Sequence, residues 1–305
     1  MRILVTGADG FLGRGLVAAL AAGRIPFERL VLTDRLLGSA VPDGAEAIAG
    51  DLADPMFLET LLEPEFDLVF HLASVPGSLA EREQDLGHHT NLLAPLALAR
   101  GVAARRPGAR FVFASSIAVY GDLGAAPVTA QTPTSPLLTY GAHKLMTEVL
   151  LSDMTRRGVL SALSLRFPGI VARPVRDSGH GSAFMSQIFH AIADGREYEC
   201  PVPAHSTCWW MSRQAAVATL LHAAELPASG QTVVQPPVLY ASLREVADAV
   251  SRVTGRPALL RWGKDEILRR TFGAMPPLNA DPARALKFQA DADLETLARA
   301  ALSGD

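Results

Sequence analysis

The stretch that decides the fold is Ile3-Leu4-Val5-Thr6 running directly into Gly7-Ala8-Asp9-Gly10-Phe11-Leu12-Gly13. The apolar, β-branched run reads as a buried strand, and the spacing of apolar residues over about 11–22 reads as a helix. A strand therefore passes into a helix through three glycines spaced three apart. Glycines let the backbone turn tightly and come close to a pyrophosphate, whose charge the amides and dipole of the helix N-terminus then meet. Asp34 follows 21 residues after Gly13, at the end of a second apolar run over 30–33. A carboxylate there can accept hydrogen bonds from an adenosine ribose. This order predicts a dinucleotide site built from Gly7, Gly10, Phe11, Leu12, Gly13 and Asp34. Asp34 would repel a 2′-phosphate, which favours NAD over NADP, although the adjacent Arg35 offers a guanidinium that could hold one. Asp51-Leu52, after the next short strand, is placed to meet the adenine; a cap or turn role is the other reading of Asp51.

Outward from that turn, apolar runs alternate with helical stretches: a strand over 68–72, a helix over about 91–105, a strand over 111–115, a helix over about 140–155 and a strand over 161–167. Alternation of this kind predicts βαβ units, and runs without polar alternation predict strands covered on both faces. After Phe167 the pattern breaks at Pro168, Pro174, Gly179, Gly181, Pro201 and Pro203, with helical spacing resuming over about 183–194, 214–224, 242–254 and 290–302. The expected fold class is α/β, a Rossmann-type doubly wound parallel sheet with a smaller C-terminal substrate-binding lobe. Residues 1–167 would form the NAD-binding domain and 168–305 mainly the lobe, with about 214–240 returning to the first domain.

Composition narrows the function classes. The 305 residues are 49% hydrophobic and 19% charged, an ordinary globular balance, and 28 Lys and Arg against 31 Asp and Glu leave a net charge of −3. No broad positive field invites nucleic acid or an anionic membrane. No apolar stretch reaches the roughly 18 residues of a membrane span, and the N-terminus lacks the basic region and cleavage site of a signal peptide. The two cysteines, Cys200 and Cys208, form no disulfide framework and lack zinc-site spacing. A cytoplasmic protein without a metal is expected.

Tyr140-Gly-Ala-His-Lys144 sets a phenol and an ammonium four residues apart, on one helix face. A phenol of pKa about 10 is a poor base at neutral pH. A cation beside it favours the phenolate, so Lys144 and an oxidised nicotinamide would bring Tyr140 toward working range. Upstream, Phe111-Val-Phe-Ala-Ser-Ser-Ile-Ala-Val-Tyr-Gly121 ends a strand with Ser115 and Ser116, where open α/β sheets bind ligands, and Ser116 can hydrogen-bond a reacting oxygen. The glycine motif, Ser115-Ser116-x-x-Val119-Tyr120-Gly121 and Tyr140-x-x-x-Lys144 together resemble the extended short-chain dehydrogenase/reductase family across most of the chain. That resemblance implies that Tyr140 is the general base in an oxidation, that Lys144 binds the nicotinamide ribose, and that Ser116 orients the substrate oxygen. It also implies that His71-Leu72-Ala73-Ser74 lines the pyrophosphate and substrate mouth, that Pro168 adjoins the cofactor, and that Asn91 supports the site from its helix; a backbone-bonded helix residue is the other reading of Asn91. A homodimer through the helices over 91–105 and 140–155 is implied as well.

The second half bears on the substrate. Arg173, Arg176 and Arg213 lie in the Pro-punctuated lobe, and the planar fork of arginine suits a carboxylate. Ser74 and Ser212 could add hydrogen bonds to substrate hydroxyls. Arg166-Phe-Pro-Gly, Glu199-Cys-Pro-Val202 and Trp210-Met-Ser-Arg213 are similar to the D-erythronate dehydrogenase branch of the family. The resemblance implies NAD-dependent oxidation of a four-carbon sugar acid to a 2-oxo acid. Uronate dehydrogenases, nucleotide-sugar epimerases or dehydratases that retain NAD, and a non-catalytic NAD-binding regulator are the alternatives. The short lobe argues against the epimerase, and the Tyr–Lys pair against the regulator. Trp209 and Trp210 suit a lobe core better than a sugar platform.

Overall fold

Strand β1 (Arg2–Thr6) forms because Ile3, Leu4 and Val5 lose all exposure between two parallel neighbours. The turn beyond it opens α1 (Phe11–Ala21), whose Leu16, Val17 and Leu20 are buried. The computed structural model describes residues 1–174, 181–227 and 230–303. In chain order β2 (Arg29–Asp34), β3 (Ala45–Ala49), α2 (Pro55–Leu61), β4 (Leu68–His71), α3 (Gly77–Arg82), α4 (Gln84–His88) and α5 (Ala94–Arg105) follow. Next come β5 (Arg110–Ser116), α6 (Thr139–Arg156), β6 (Ser161–Phe167), β7 (Gly169–Val171), α7 (Ala183–Asp194), β8 (Tyr198–Cys200), β9 (Thr207–Ser212) and α8 (Arg213–Glu225). The chain closes with β10 (Val233–Val234), β11 (Leu239–Ser242), α9 (Leu243–Thr254), β12 (Leu260–Trp262), α10 (Glu266–Phe272), α11 (Asp281–Ala285) and α12 (Leu294–Leu302).

Two compact units divide these elements. The first takes Met1–Val119, Leu138–Arg166 and Val217–Val234. Its seven-stranded parallel sheet runs β10-β6-β5-β4-β1-β2-β3. Strand order reverses between β1 and β4, the switch point at which open α/β sheets bind ligands beyond their carboxyl ends. Core residues such as Leu4, Val69, Phe111 and Phe113 are fully buried and pack with Leu98 of α5 and Leu151 of α6. The doubly wound α/β architecture thus follows from the strand runs, whose apolar residues are covered on both faces.

The second unit takes Tyr120–Leu137, Phe167–Ala216 and Gln235–Asp305. It holds a three-stranded sheet, β11-β9-β7, and a two-stranded one, β12-β8. Helices α7, α9 and α12 bury Ile188, Phe189, Leu243, Val246 and Leu297 together with Trp210 of β9. Ser242 and Glu245 close a capping box at the start of α9, and Gly255, at φ +68°, ends it. Tyr120–Leu137 lies inside the stretch assigned above to the first domain; its Ser135 amide returns to the Tyr120 carbonyl at 3.3 Å.

Two helices begin elsewhere than the spacing suggests. Over 84–105 the chain forms α4, a widened π turn over His89–Leu93, and α5. Pro95 has no N–H to give the Asn91 carbonyl, which accounts for the break in the regular ladder. The last helix starts at Leu294 because the Asp293 carboxylate accepts from the Thr296 amide and caps it there. Among the described residues no helix is long and apolar enough to cross a membrane, and no group of His, Cys, Asp and Glu could hold a metal.

Candidate active site

The glycine turn divides its labour. Gly7 has φ +70°, and a Cβ there would stand 2.6 Å from the Ala73 amide nitrogen and 2.8 Å from the Leu72 carbonyl carbon. A Cβ on Gly13 would stand 2.0 Å from the Gly7 carbonyl oxygen. These two glycines are required by the protein's own backbone, one against the loop after β4 and one where α1 presses on the turn. Gly10 is different: it is exposed, and its Cβ would meet only the Gly7 oxygen, at 3.2 Å. It is the N-cap of α1, contributes no side-chain cap, and has no acidic residue in the turn behind it. The opening of α1 is thus a glycine-lined cradle with first-turn amides and a positive dipole end, which fits a pyrophosphate.

Asp34 is half-buried at the end of β2 and accepts from the Asp9 amide (3.1 Å) and the Arg35 amide (2.8 Å). Burial raises its pKa against those hydrogen bonds. The carboxylate has room for about four hydrogen bonds, so acceptor capacity is left for a ribose. Asp9, which the sequence reading passed over inside the glycine motif, uses its own carboxylate to accept from the Gly38 amide (3.1 Å) and from the Ser39 hydroxyl. Burial opposes its ionisation, but Ser39, Gly38 and the Arg14 charge outweigh it and hold the carboxyl below its usual range. The loop after β2 is thereby latched to the turn. Asp51 accepts from the Ala53 amide at 2.9 Å, a turn just ahead of α2, while Leu52 is buried in the core.

Beyond β4 the segment His71–Ser74 is fixed from two sides. His71 Nδ1 meets Thr6 Oγ1 at 2.8 Å, and its ring stacks on Phe113 with centroids 5.8 Å apart. Burial, and then the Lys144 charge, push its pKa down to about 3, so the ring is neutral. Asn91, buried in the π turn, accepts at Oδ1 from Ser74 Oγ (2.9 Å) and the Val75 amide (2.8 Å), and donates from Nδ2 to the Val75 carbonyl (3.1 Å). It clamps the loop. Leu72 and Ala73 lie half-buried between these anchors.

Tyr140 and Lys144 both stand in the first turns of α6, as their spacing predicts. Lys144 Nζ lies 5.4 Å from the centroid of the Tyr140 ring and 4.7 Å from that of Phe113 on β5. Lys144 is buried, and burial pulls its pKa down to about 7 while the Glu148 charge acts in the opposite direction. Gly77 at the start of α3 brings its backbone against Tyr140, where a Cβ would meet the Tyr140 Cβ at 3.5 Å. Ser116 ends β5, and its Oγ accepts from the Ala118 amide at 3.1 Å, which leaves its hydroxyl hydrogen for another acceptor. Next to it, Ser115 donates to Glu148 (2.5 Å), which Arg166 also holds (2.8 Å). The sequence reading missed Glu148 and this use of Ser115. The available signal was an acid four residues after Lys144, on the same helix face.

In the second unit, Ser212 is fully buried: its amide and hydroxyl donate to Asp291 at 2.9 and 2.5 Å, and its Oγ accepts from Ala215 at 3.0 Å. These contacts are internal to the unit. Arg173 and Arg213 are half-buried; the Arg173 backbone is held by Ser186 (3.0 Å) and His190 (2.7 Å). Arg176 lies outside the described residues, and Pro168 is buried. Trp209 and Trp210 are core, their indoles donating to the Pro276 and Ala241 carbonyls at 2.7 and 3.0 Å. Cys200 and Cys208 are free, buried thiols whose pKa values burial raises.

Comparison with known proteins gives this geometry a context. The model of the NAD dependent epimerase/dehydratase family matches residues 3–232. A D-erythronate dehydrogenase of Cupriavidus necator is 33% identical, with 98% of this chain and 97% of that protein covered. A D-erythronate dehydrogenase of Haemophilus influenzae is 29% identical, with 97% of each covered. Among solved structures, a nucleoside-diphosphate-sugar epimerase from Agrobacterium tumefaciens superposes with a TM-score of 0.91 at 30% identity, covering 100% of this chain and 94% of that one.

Proposed function

From the premise that the chain belongs to the NAD-dependent epimerase/dehydratase family, as an NAD-using oxidoreductase of CH–OH groups, we propose that it oxidises a secondary hydroxyl of a small sugar acid, D-erythronate, to the 2-oxo acid. The observation that carries this reading is the match to D-erythronate dehydrogenases along nearly the whole of both chains. Bound NAD supplies the hydride acceptor. The remaining chemistry falls to the protein. Tyr140 takes the proton of the substrate hydroxyl, and Ser116, its Oγ already accepting from Ala118, donates to the same oxygen. Lys144 binds the nicotinamide ribose, and as an ammonium it stabilises negative charge on the phenol oxygen. The first turn of α1, with Gly10, Phe11 and Leu12, holds the pyrophosphate, Leu72 and Ala73 adjoin it, and Asp34 accepts from the adenosine ribose. Asn91 acts by holding Ser74 and Val75 in place. An arginine, Arg173 or Arg213 among those described, is the proposed partner of the carboxylate, through two charge-assisted hydrogen bonds.

We also take the active form to be a homodimer paired through α5 and α6, near which Leu93 (41%), Met146 (45%) and Val149 (63%) stand exposed. Its compartment in this reading is the cytoplasm, where both thiols stay reduced.

The test is the purified protein with NAD and a panel of D-erythronate, L-threonate, other aldonates, uronates, L-threonine and UDP-sugars, followed by NADH absorbance. Turnover of D-erythronate above the other acids is expected. One observation favours a second reading, the superposition on a nucleoside-diphosphate-sugar epimerase. Silence on every acid, with interconversion of a UDP-sugar seen by chromatography, would put that reading in place of this one.

A further inference from the structure

Glu148 is a buried polar group that this mechanism leaves unused. It follows Lys144 by one helical turn on α6, a spacing that brings Cβ atoms to about 5–6 Å, and it is only 2% exposed. Its Oε1 accepts from Ser115 Oγ (2.5 Å) and Arg166 Nε (3.1 Å), and its Oε2 from Arg166 Nη2 (2.8 Å) and Nε (3.3 Å). One carboxylate thus joins the end of β5, the middle of α6 and the end of β6. Ser116, next to Ser115, and Lys144 stand on two of the elements it ties together.

We propose that Glu148 is a positioning residue: it supplies the buried counter-charge of the Lys144 ammonium and fixes β5 against α6, with Ser115 and Arg166 as its holders. The inference rests on the role given to Lys144 above. A buried ammonium is costly unless it is paired. Burial pulls Lys144 down, to about 7, and the Glu148 charge is what opposes that fall. The other groups facing Lys144 do not take this part. His71 of β4 is neutral, Tyr140 is the phenol that Lys144 itself serves, and Glu81 of α3 and His88 of α4 lie beside His143. Arg166 of β6 is turned to Glu148. An isolated buried ion pair gives weak evidence of function, because such pairs often stabilise little in net terms. The case here rests on which elements this pair joins.

The experiment compares wild type with Glu148→Gln, which keeps shape and an acceptor for Ser115, and with the double variant Glu148→Gln/Arg166→Met, which leaves no unpaired charge at position 166. NADH binding is followed by fluorescence, and kcat/KM with D-erythronate and NAD by absorbance, both as functions of pH. A function that needs the Lys144 ammonium is lost as pH rises through its pKa. In Glu148→Gln the loss should move to lower pH by about one unit, an about tenfold deficit at a fixed pH on the falling limb; in the double variant, which also removes the Arg166 charge, it should move the same way by less. Acidification should recover it. Variants that melt earlier but keep both pH profiles unshifted would overturn the proposal. So would a double variant that does not fold, since the pair would then serve stability. Tyr140→Phe and Lys144→Met separate this failure from failure of the function. If those two retain turnover, the proposed chemistry falls; if they lose it while the Glu148 profiles superpose on wild type, only the present inference falls.

Discussion

Asp34 and Glu148 are both carboxylates that bind several donors in the same unit, yet they are built in opposite ways. Asp34 is half-exposed, and its donors are two backbone amides, those of Asp9 in the glycine turn and Arg35 beside it. Those donors are set by the path of the chain, so the carboxylate is fixed in place while part of its capacity stays open. Glu148 is held by side chains, from Ser115 and Arg166, and both its oxygens are taken. It has nothing left for a ligand and can act only through its neighbours. The first kind of site recognises a molecule, and the second sets the charge and position of a group that does.

The largest effect should come from the reacting group itself. Tyr140→Phe removes the proposed base, and general base catalysis contributes roughly 10²–10⁴-fold, so turnover should fall at least about a hundredfold. Near-normal turnover in that variant would sink the mechanism. NADH affinity, which depends on the Asp34 end, should change little.

The same contrast governs what could be read in the sequence. Asp34 was legible because its place depends on two local facts, a strand end and the glycine turn, at a spacing within one βαβ unit. Tyr140 and Lys144 were legible because they share one helix. Glu148 shares that helix face, but its partners are separated from it by 33 and 18 residues and meet it only when β5, β6 and α6 are assembled, so its part in the site was not legible. Asn91 was placed correctly on a helical segment, but Pro95 and the π turn around it were hidden by the helical spacing. The small sheets of the second unit escaped the reading as well, since β7, β8 and β12 have only three residues each. Alternation over so few positions carries no periodic signal.

Lys144→Met should have the next largest effect, seen in stability against pH. The folded pKa of Lys144, about 7, lies below the unfolded lysine value of about 10.4. Between those values the unfolded chain binds a proton that the folded chain does not, so Lys144 makes wild type gain stability as pH rises, by up to about 1.4 kcal/mol per pH unit. Denaturant unfolding of the two proteins from pH 6 to 10 should show wild type gaining on the variant above about pH 7. Parallel curves would mean that Lys144 stays fully charged in the folded chain.

The glycine turn sharpens the distinction between groups that serve the fold and groups that serve a ligand. Gly13→Ala places a Cβ 2.0 Å from the Gly7 oxygen and must displace backbone, so both Tm and NADH affinity should fall. Gly10→Ala meets only one atom, at 3.2 Å, and should weaken NADH binding with little change in Tm. Equal losses of Tm in the two variants would show that Gly10, like Gly13, is there for the fold.

The smallest expected effect tests the open end. Asp34→Ala removes both the ribose acceptor and the charge that repels a 2′-phosphate, and Arg35 remains beside the gap. Losing one or two charge-assisted hydrogen bonds, each worth about 1.5–3 kcal/mol when intact, should cost about tenfold or more in NAD affinity while NADP affinity holds or rises. Asp9→Ala acts on the same end indirectly. Its carboxylate holds Gly38 and Ser39, while the amide that serves Asp34 is backbone and survives the substitution. The variant should therefore keep its preference for NAD over NADP and lose only a few-fold in affinity for both, as the loop after β2 comes free. Calorimetric titration with the two cofactors distinguishes the cases: a ratio of affinities that moves as far in Asp9→Ala as in Asp34→Ala would show that the second carboxylate takes part in recognising the ribose and does more than hold the loop.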